Sequence, residues 1–193
     1  LHLCSHNLEK MGTTKIDNTH KLLGEVCMAA QFEGDLIKTR YTPHQQKYDD
    51  SPSQLCTMLA RSFADIGDII RGKDLYLGDN RKDREQKVKL ENKLKEIFAK
   101  IHENLGTQDA IGHYEDAKKN YYKLREDWWT ANRGTVWKAI TCGAGKHDKY
   151  FRKTCNGGSP TKGYCRCNGD QPNDHKANID PPTYFDYVPQ FLR

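Results

Sequence analysis

Several things are missing from these 193 residues. No run of about 18 apolar residues occurs, so no segment reads as a membrane-spanning helix. No secretory leader and no starting Met are present, and both ends, LHLCSHNLE and DYVPQFLR, read like the inside of a domain. A piece of a longer chain is therefore expected. Strand signals are weak throughout, which counts against a sheet. There is no Asn-x-Ser/Thr sequon, hence no N-glycan to block surface contacts. No CxxC pair occurs, and GAG at 143–145 is too short to cradle a phosphate. No catalytic constellation stands out. Apolar residues are themselves scarce, with a mean hydropathy of -0.92. Even so, 10% aromatics and clear apolar periodicity exclude a disordered chain. The length suffices for one large domain or two small ones with a real core.

What is present is helical spacing. Residues 17–37 carry Leu22, Val26, Ala29 and Phe32 at steps of four and three, with Asp17 or Asn18 as cap. Residues 38–53, polar and holding Pro43 and Pro52, read as a loop. Residues 54–71 place Leu55, Leu59, Phe63, Ile66 and Ile70 on one face, with Gly72 as the stop. Residues 81–105 repeat the pattern through Leu90, Leu94, Ile97, Ile101 and Leu105, and residues 109–132 through Ala117, Tyr121, Leu124 and Trp128. Residues 143–182 are irregular, and TYFDYVPQFLR after Pro181-Pro182 reads as the start of another helix. The expected fold is mainly α, a long-helix bundle with an irregular disulfide-stapled insertion. The core should contain Leu59, Phe63, Ile66, Ile70, Leu94, Ile97, Ile101, Leu124 and Trp128.

Seven cysteines leave one over. Cys4, three residues from the start, is the natural orphan. A zinc site would need four closed ligands, drawn from Cys165, Cys167 and the others with His147 and His175. A catalytic thiol would need a base, and nothing singles out one cysteine. Disulfides explain more. Cys142, Cys155, Cys165 and Cys167 form an even set in a stretch too polar to pack a core, and such stretches are stapled in extracellular proteins. Three pairings among them are open. Cys27 and Cys56 lie on successive helices and are expected to bond to each other. The cysteines thus imply an oxidising compartment.

Other side chains carry a plain reading beside a functional one. Asp65 and Asp68, three apart on a helix, suit a solvated or N–H-capping face. Adjacent Trp128 and Trp129 point about 100° apart on a helix, so they either pack between helices or offer a sugar-stacking platform. Charge is segregated. Lys138, Lys146, Lys149, Arg152 and Lys153 oppose only Asp148, whereas Asp170, Asp174, Asp180 and Asp186 make 168–186 acidic. A basic stripe binds polyanions by charge neutralisation and counterion release. Were 146–153 helical, Lys149, Arg152 and Lys153 would share a face, with Lys118, Lys119 and Lys123 extending it if the fold brings them near. Arg81, Lys82 and Arg84 open a second basic stretch, whose plain reading is a solvated, salt-bridged helix face.

Three stretches together are specific: ARSFADIGDIIRG (60–72), NYYKLREDWWTANRGTVWKAITC (120–142) and PTYFDYVPQFLR (182–193). They closely resemble the alpha class of Duffy-binding-like domains, found at the head of the variant erythrocyte membrane proteins of Plasmodium falciparum. LCSHNLE (3–9) and VCMAAQFEGDLI (26–37) resemble the family too, the latter departing at Gln31-Phe32, where Lys-Tyr is common. The resemblance spans essentially the whole chain, as the central part of one domain lacking its N-terminal extension and C-terminal helical subdomain. It implies an adhesin on the extracellular face of the infected red-cell membrane, part of a larger anchored protein, acting in rosetting or cytoadherence. The partners it implies are heparan sulfate-like glycans, blood-group sugars or complement receptor, together with neighbouring domains of the same chain. Nucleic acid, a cofactor and enzymatic activity are not implied. Family members with fewer cysteines keep positions like Cys142 and Cys165, which favours Cys142–Cys165 with Cys155–Cys167. Specificity should lie in 73–116 and 143–181. The competing functions are a structural spacer within a multidomain surface antigen and a zinc or thiol enzyme.

Overall fold

The computed structural model describes residues 18–48, 53–168 and 180–193. Five helices occur among them: α1 (Thr19–Tyr48), α2 (Ser53–Arg71), α3 (Arg81–Glu103), α4 (Gln108–His113) and α5 (Tyr122–Ile140). The described residues form no strand, only isolated bridges at Cys155–Ser159 and Gly163–Arg166.

Asn18 caps α1, its side chain accepting the Lys21 N–H at 3.0 Å. Leu22, Val26, Ala29, Ala30, Ile37 and Tyr41 then face the core. Phe32 does not; it is exposed, as is Met28 one turn earlier. The helix also runs on to Tyr48, through the stretch where Pro43 suggests a loop. Tyr41, one turn beyond buried Ile37, is itself buried in the core cluster and holds the start of this extension against it. The hydroxyls of Thr39 and Thr42 bond back to the carbonyls of Asp35 and Lys38.

Helix α2 returns antiparallel, with Ser62 Oγ 3.3 Å from Glu33 Oε1, and buries Leu55, Leu59, Phe63, Ile66 and Ile70 as the spacing predicts. Gly72 closes it with φ +72. Helix α5 runs parallel to α1, Thr19 meeting Trp128 at one end and Gly34 meeting Ile140 at the other. Phe63 stands between two indoles, 5.1 Å from Trp129 and 5.2 Å from Trp137. Gly67 makes this packing possible, because a Cβ there would lie 2.8 Å from the Trp129 ring. All nine core residues named from the sequence are buried.

The predicted helix over 109–132 is instead two. After α4 the chain turns, with left-handed φ of 52° at Lys119 and 54° at Tyr121. The Asp116 carboxylate gathers the N–H groups of Lys118, Asn120 and Tyr121. Helix α5 therefore starts at Tyr122 and continues to Ile140, where Val136, Trp137 and Ile140 are buried. Ala117 lies exposed in the turn. Helix α3 is anchored through Arg125, which donates to Glu91 at 2.7 and 2.9 Å and to the carbonyls of Ile69 and Ile70. The C-terminal stretch forms two short 3-10 turns, Phe185–Tyr187 and Gln190–Leu192, rather than a helix. Pro189, at the N-cap of the second turn, has no N–H to continue one.

The disulfides correct the sequence reading. Cys56 bonds to Cys165 and Cys155 to Cys167, leaving Cys27 and Cys142 as free thiols. The expected Cys27–Cys56 bond is absent for a geometric reason. With Glu33 opposite Ser62, Cys56 lies level with about residue 39, some twelve residues or ~18 Å along the axis from Cys27. A disulfide tolerates at most about 7 Å between Cα atoms. The expected Cys142–Cys165 bond is absent because Cys165 faces α2, its carbonyl accepting from Trp137 Nε1 at 3.1 Å. The Cys155–Cys167 pair is present. Cys4, Asp17, Pro52, Asp170, Asp174 and His175 lie outside the described residues.

Candidate glycan-binding surface

Residues 142–168 contain little that can pack, so the chain here is fixed by ties of other kinds. The Cys56–Cys165 bond joins it to α2. Buried Arg166 reaches the Thr141 hydroxyl at 3.0 Å and the Lys138 carbonyl at 3.0 Å, at the end of α5. The loop 145–150 is held by the backbone of the 164–165 segment: Tyr164 N–H donates to Gly145 O and Cys165 N–H to Asp148 O, each at 2.9 Å. Asp148 turns its carboxylate inward to accept the Gly145 N–H at 2.6 Å. Gly163, with φ +149, lies against the Lys146 carbonyl, which a Cβ would approach to 2.4 Å. Tyr150 is buried, its N–H donating to Thr161 Oγ1 at 2.9 Å and its hydroxyl pairing with Thr183 Oγ1 at 3.1 Å.

Lys146, Lys149, Arg152 and Lys153 are all exposed on this anchored loop. Among the described residues none of the four has a carboxylate partner. The loop is not helical, so the shared-helix-face argument for Lys149, Arg152 and Lys153 does not hold. The four share instead one short irregular segment that opens on a turn closed by the Asp148 N–H to Gly145 O bond at 3.0 Å. Arg152 lays its guanidinium 5.2 Å from the centroid of the Phe151 ring, which is itself exposed.

The other basic residues do not join them. Lys118, Lys119 and Lys123 are exposed at the opposite end of α5, about 27 Å away along a helix of this length. Lys123 Nζ lies 3.3 Å from His113 Nδ1. Arg81, Lys82 and Arg84 open α3, where Arg81 pairs with Glu85 at 2.8 Å and Lys87 with Asp74 at 3.2 Å. That face is the salt-bridged one in part, with Lys82 and Arg84 exposed beside it.

Both tryptophans of REDWW are buried and belong to the core, Trp128 donating to Thr19 Oγ1 and Trp129 to Asp186 Oδ2. Asp68 differs from the solvated or capping face expected. It is buried and paired with Arg71 at 3.1 Å and with Arg193. Burial, partly offset by Arg193, raises the pKa of neighbouring Asp65. Sequence reasoning misses Asp186, which by sequence is only one more acidic surface charge. Its carboxylate takes Arg133 at 2.8 Å through both oxygens and the Trp129 indole at 2.9 Å. Its place between aromatics in TYFDY is the available signal.

Among the described residues no group of three or more His, Cys, Asp or Glu is placed to hold a metal. Cys155, Cys165 and Cys167 are committed to disulfides. Burial pushes the free Cys27 thiol up to about 11, away from the thiolate a nucleophile needs. No described helix is long and apolar enough to cross a membrane.

A helical bundle that fixes an irregular, disulfide-tied surface loop defines a scaffold for presenting side chains. The sequence places it in a family: residues 1–193 match the Duffy binding domain, and the chain belongs to that family. Among solved structures it is similar to the NTS-DBL1(alpha-1) domain of Plasmodium falciparum membrane protein 1 from the varO strain. The two share 40% identity and a TM-score of 0.77, over 99% of this chain and 40% of that one. An ICAM-1-binding DBLbeta domain of a PfEMP1 protein shares 32% identity and a TM-score of 0.68, over 99% of this chain and 39% of that one. A further PfEMP1 DBLbeta domain, bound to human ICAM-1, shares 30% identity at a TM-score of 0.63, over 99% and 36% of the two chains. The chain thus spans about two fifths of the length of these structures. A search of curated proteins gave no match.

Proposed function

We propose that this chain is the central part of a Duffy-binding-like adhesion domain that binds anionic host-cell glycan through the 146–153 loop. It would act on the surface of an infected erythrocyte, in rosetting or cytoadherence. The observation carrying this reading is the set of four exposed cations, Lys146, Lys149, Arg152 and Lys153, without a carboxylate partner among the described residues, on a loop tied down by the 164–165 backbone. Cations already desolvated by partners would gain little from a polyanion; these release counterions on contact and are held in place beforehand. Family membership and the ties in 142–168 support an extracellular setting. A glycoprotein receptor is the second reading, favoured by two similar domains that bind ICAM-1.

The test is binding of the full chain to immobilised heparin, to N- and O-desulfated heparin and to ICAM-1. The proposal expects sulfation-dependent binding that weakens steeply with salt, since exposed charges are screened beyond about 8 Å at physiological ionic strength. Binding to ICAM-1 alone, indifferent to sulfated glycan, would overturn it in favour of the second reading.

A further inference from the structure

The four cations explain attraction to sulfate, but not the exposure of Phe151 among them. Its side chain is 48% exposed, whereas the adjacent Tyr150 turns inward to 5%. The ring is nevertheless supported. Its centroid lies 4.9 Å from that of Tyr150 and 6.5 Å from that of Phe185. Both supports are tied to Thr183, Tyr150 through its hydroxyl at 3.1 Å and Phe185 through its N–H at 3.2 Å. Phe151 is therefore flanked by aromatic rings of two separate segments while about half of it meets solvent. Lys149, Arg152 and Lys153 surround it in sequence, and the Arg152 guanidinium stands 5.2 Å from its centroid.

We propose that Phe151 is a stacking platform for a pyranose ring of the bound glycan. Arg152, whose guanidinium stands over the ring in the free protein, moves onto a sulfate or carboxylate carried by the same sugar and leaves that face to the pyranose. This inference rests on the reading of the loop as a glycan site and adds which polyanions it selects. The face of an aromatic ring is negative, and the C–H groups on one face of a pyranose are positively polarised, so the two attract as aromatic edges and faces do. Arginine bonds an oxyanion through two parallel N–H groups, which fixes the sugar's orientation over the ring. The ligand class is then a sulfated pyranose chain rather than any polyanion. The two contributions separate by their response to salt. The cations set the slope of affinity against salt, whereas the ring adds a factor that salt does not screen.

The experiment compares the full chain with Phe151→Ala, Phe151→Leu and Phe151→Trp, each against a heparin oligosaccharide and against poly(vinyl sulfate), over a series of salt concentrations. Poly(vinyl sulfate) carries the charge without sugar rings. The Ala and Leu variants should both bind the oligosaccharide about fivefold more weakly at every salt concentration, the size of one aromatic-face contact. Their salt slope and their affinity for poly(vinyl sulfate) should be unchanged, and Phe151→Trp should restore binding. Leu preserves apolar packing on Tyr150 and Phe185, so a loss shared by Ala and Leu is not a folding defect. Equal losses for both probes, an altered slope, or wild-type affinity in the Leu variant would overturn the platform while leaving the cationic site standing. Failure of the unmodified chain to bind the oligosaccharide would overturn the glycan reading and the platform together.

Discussion

Phe63 and Tyr150 are both buried aromatics of one apolar cluster, yet what else holds them differs. Phe63 is enclosed by Trp129, Trp137 and the apolar faces of α1, α2 and α5, where periodic spacing stacks one apolar residue above another. Full burial of such a side chain stabilises by roughly 1.5–3 kcal/mol. Tyr150 lies where the same apolar cluster meets the insertion, beside Phe185, and adds to that burial hydrogen bonds to Thr161 and Thr183, in a stretch fastened by Cys56–Cys165 and Cys155–Cys167. The bundle draws its stability from burial. The loop region draws it from covalent and polar ties made largely by backbone and inward-facing groups. The side chains of Lys146, Lys149, Arg152 and Lys153 are thereby left exposed, and Phe151 is left half exposed. Side chains that do not hold the structure can change at little cost to the fold.

Cutting the tie between the two regions should have the largest effect. Replacing Cys56 and Cys165 by Ser opens a loop of 109 residues, which costs about 4–5 kcal/mol in the chain-entropy account. Denaturant unfolding of that variant measures it, and non-reducing peptide mapping of the parent should link Cys56 to Cys165. A loss below about 1 kcal/mol would mean that packing alone joins the regions. Next comes Phe63→Ala, expected to destabilise by about 3–5 kcal/mol; an unchanged melting temperature would remove the burial side of the comparison. Opening Cys155–Cys167, only 12 residues apart, should cost about 3 kcal/mol, less than the long-range staple. The reverse order of the two disulfides would contradict the loop-length argument.

The smallest effect sharpens a polar tie inside the bundle itself. The Asp116 carboxylate is held below its ordinary value, chiefly by the Lys118 N–H, against partial desolvation, with the Tyr121 and Asn120 N–H groups adding to it. Its folded pKa is depressed, so its contribution is present above the ordinary carboxylate range. It fades as pH falls through the lowered value. Urea midpoints followed through acid should show the parent losing its advantage over Asp116→Asn on acidification. A constant difference would show that the carboxylate does not hold the turn before α5.

The residues that make the bundle legible are those whose meaning is local and periodic. Leu59, Phe63, Ile66 and Ile70 announce a face by spacing alone, and Gly72 announces its end. What stays hidden depends on which segments meet. Cys165 is readable as half of a disulfide, but that its partner is Cys56 follows only from the placement of the insertion over α2. Asp186 looks like surface charge because nothing local reveals that Arg133 and Trp129 converge on it. The break at 114–121 is obscured because Tyr121, Leu124 and Trp128 keep helical spacing across a turn made by Asp116. At the candidate site the cations of 146–153 stand out in the sequence. A shared helix face is the wrong reason for grouping them, and Trp128 and Trp129 pack between helices, as the plainer of their two readings has it, while the aromatic that the structure exposes here is Phe151.

The central claim, that the cations of the stapled loop engage glycan without holding the fold, is tested most directly by changing Lys146, Lys149, Arg152 and Lys153 together to Ala. The measurement is heparin affinity across a salt series, with thermal unfolding of the same protein alongside. The account predicts a salt slope shallower by roughly one unit for each cation removed, with stability within about 0.5 kcal/mol of the parent. Equal affinity and equal slope in the two proteins would contradict it and move the binding site elsewhere, to the basic start of α3 first.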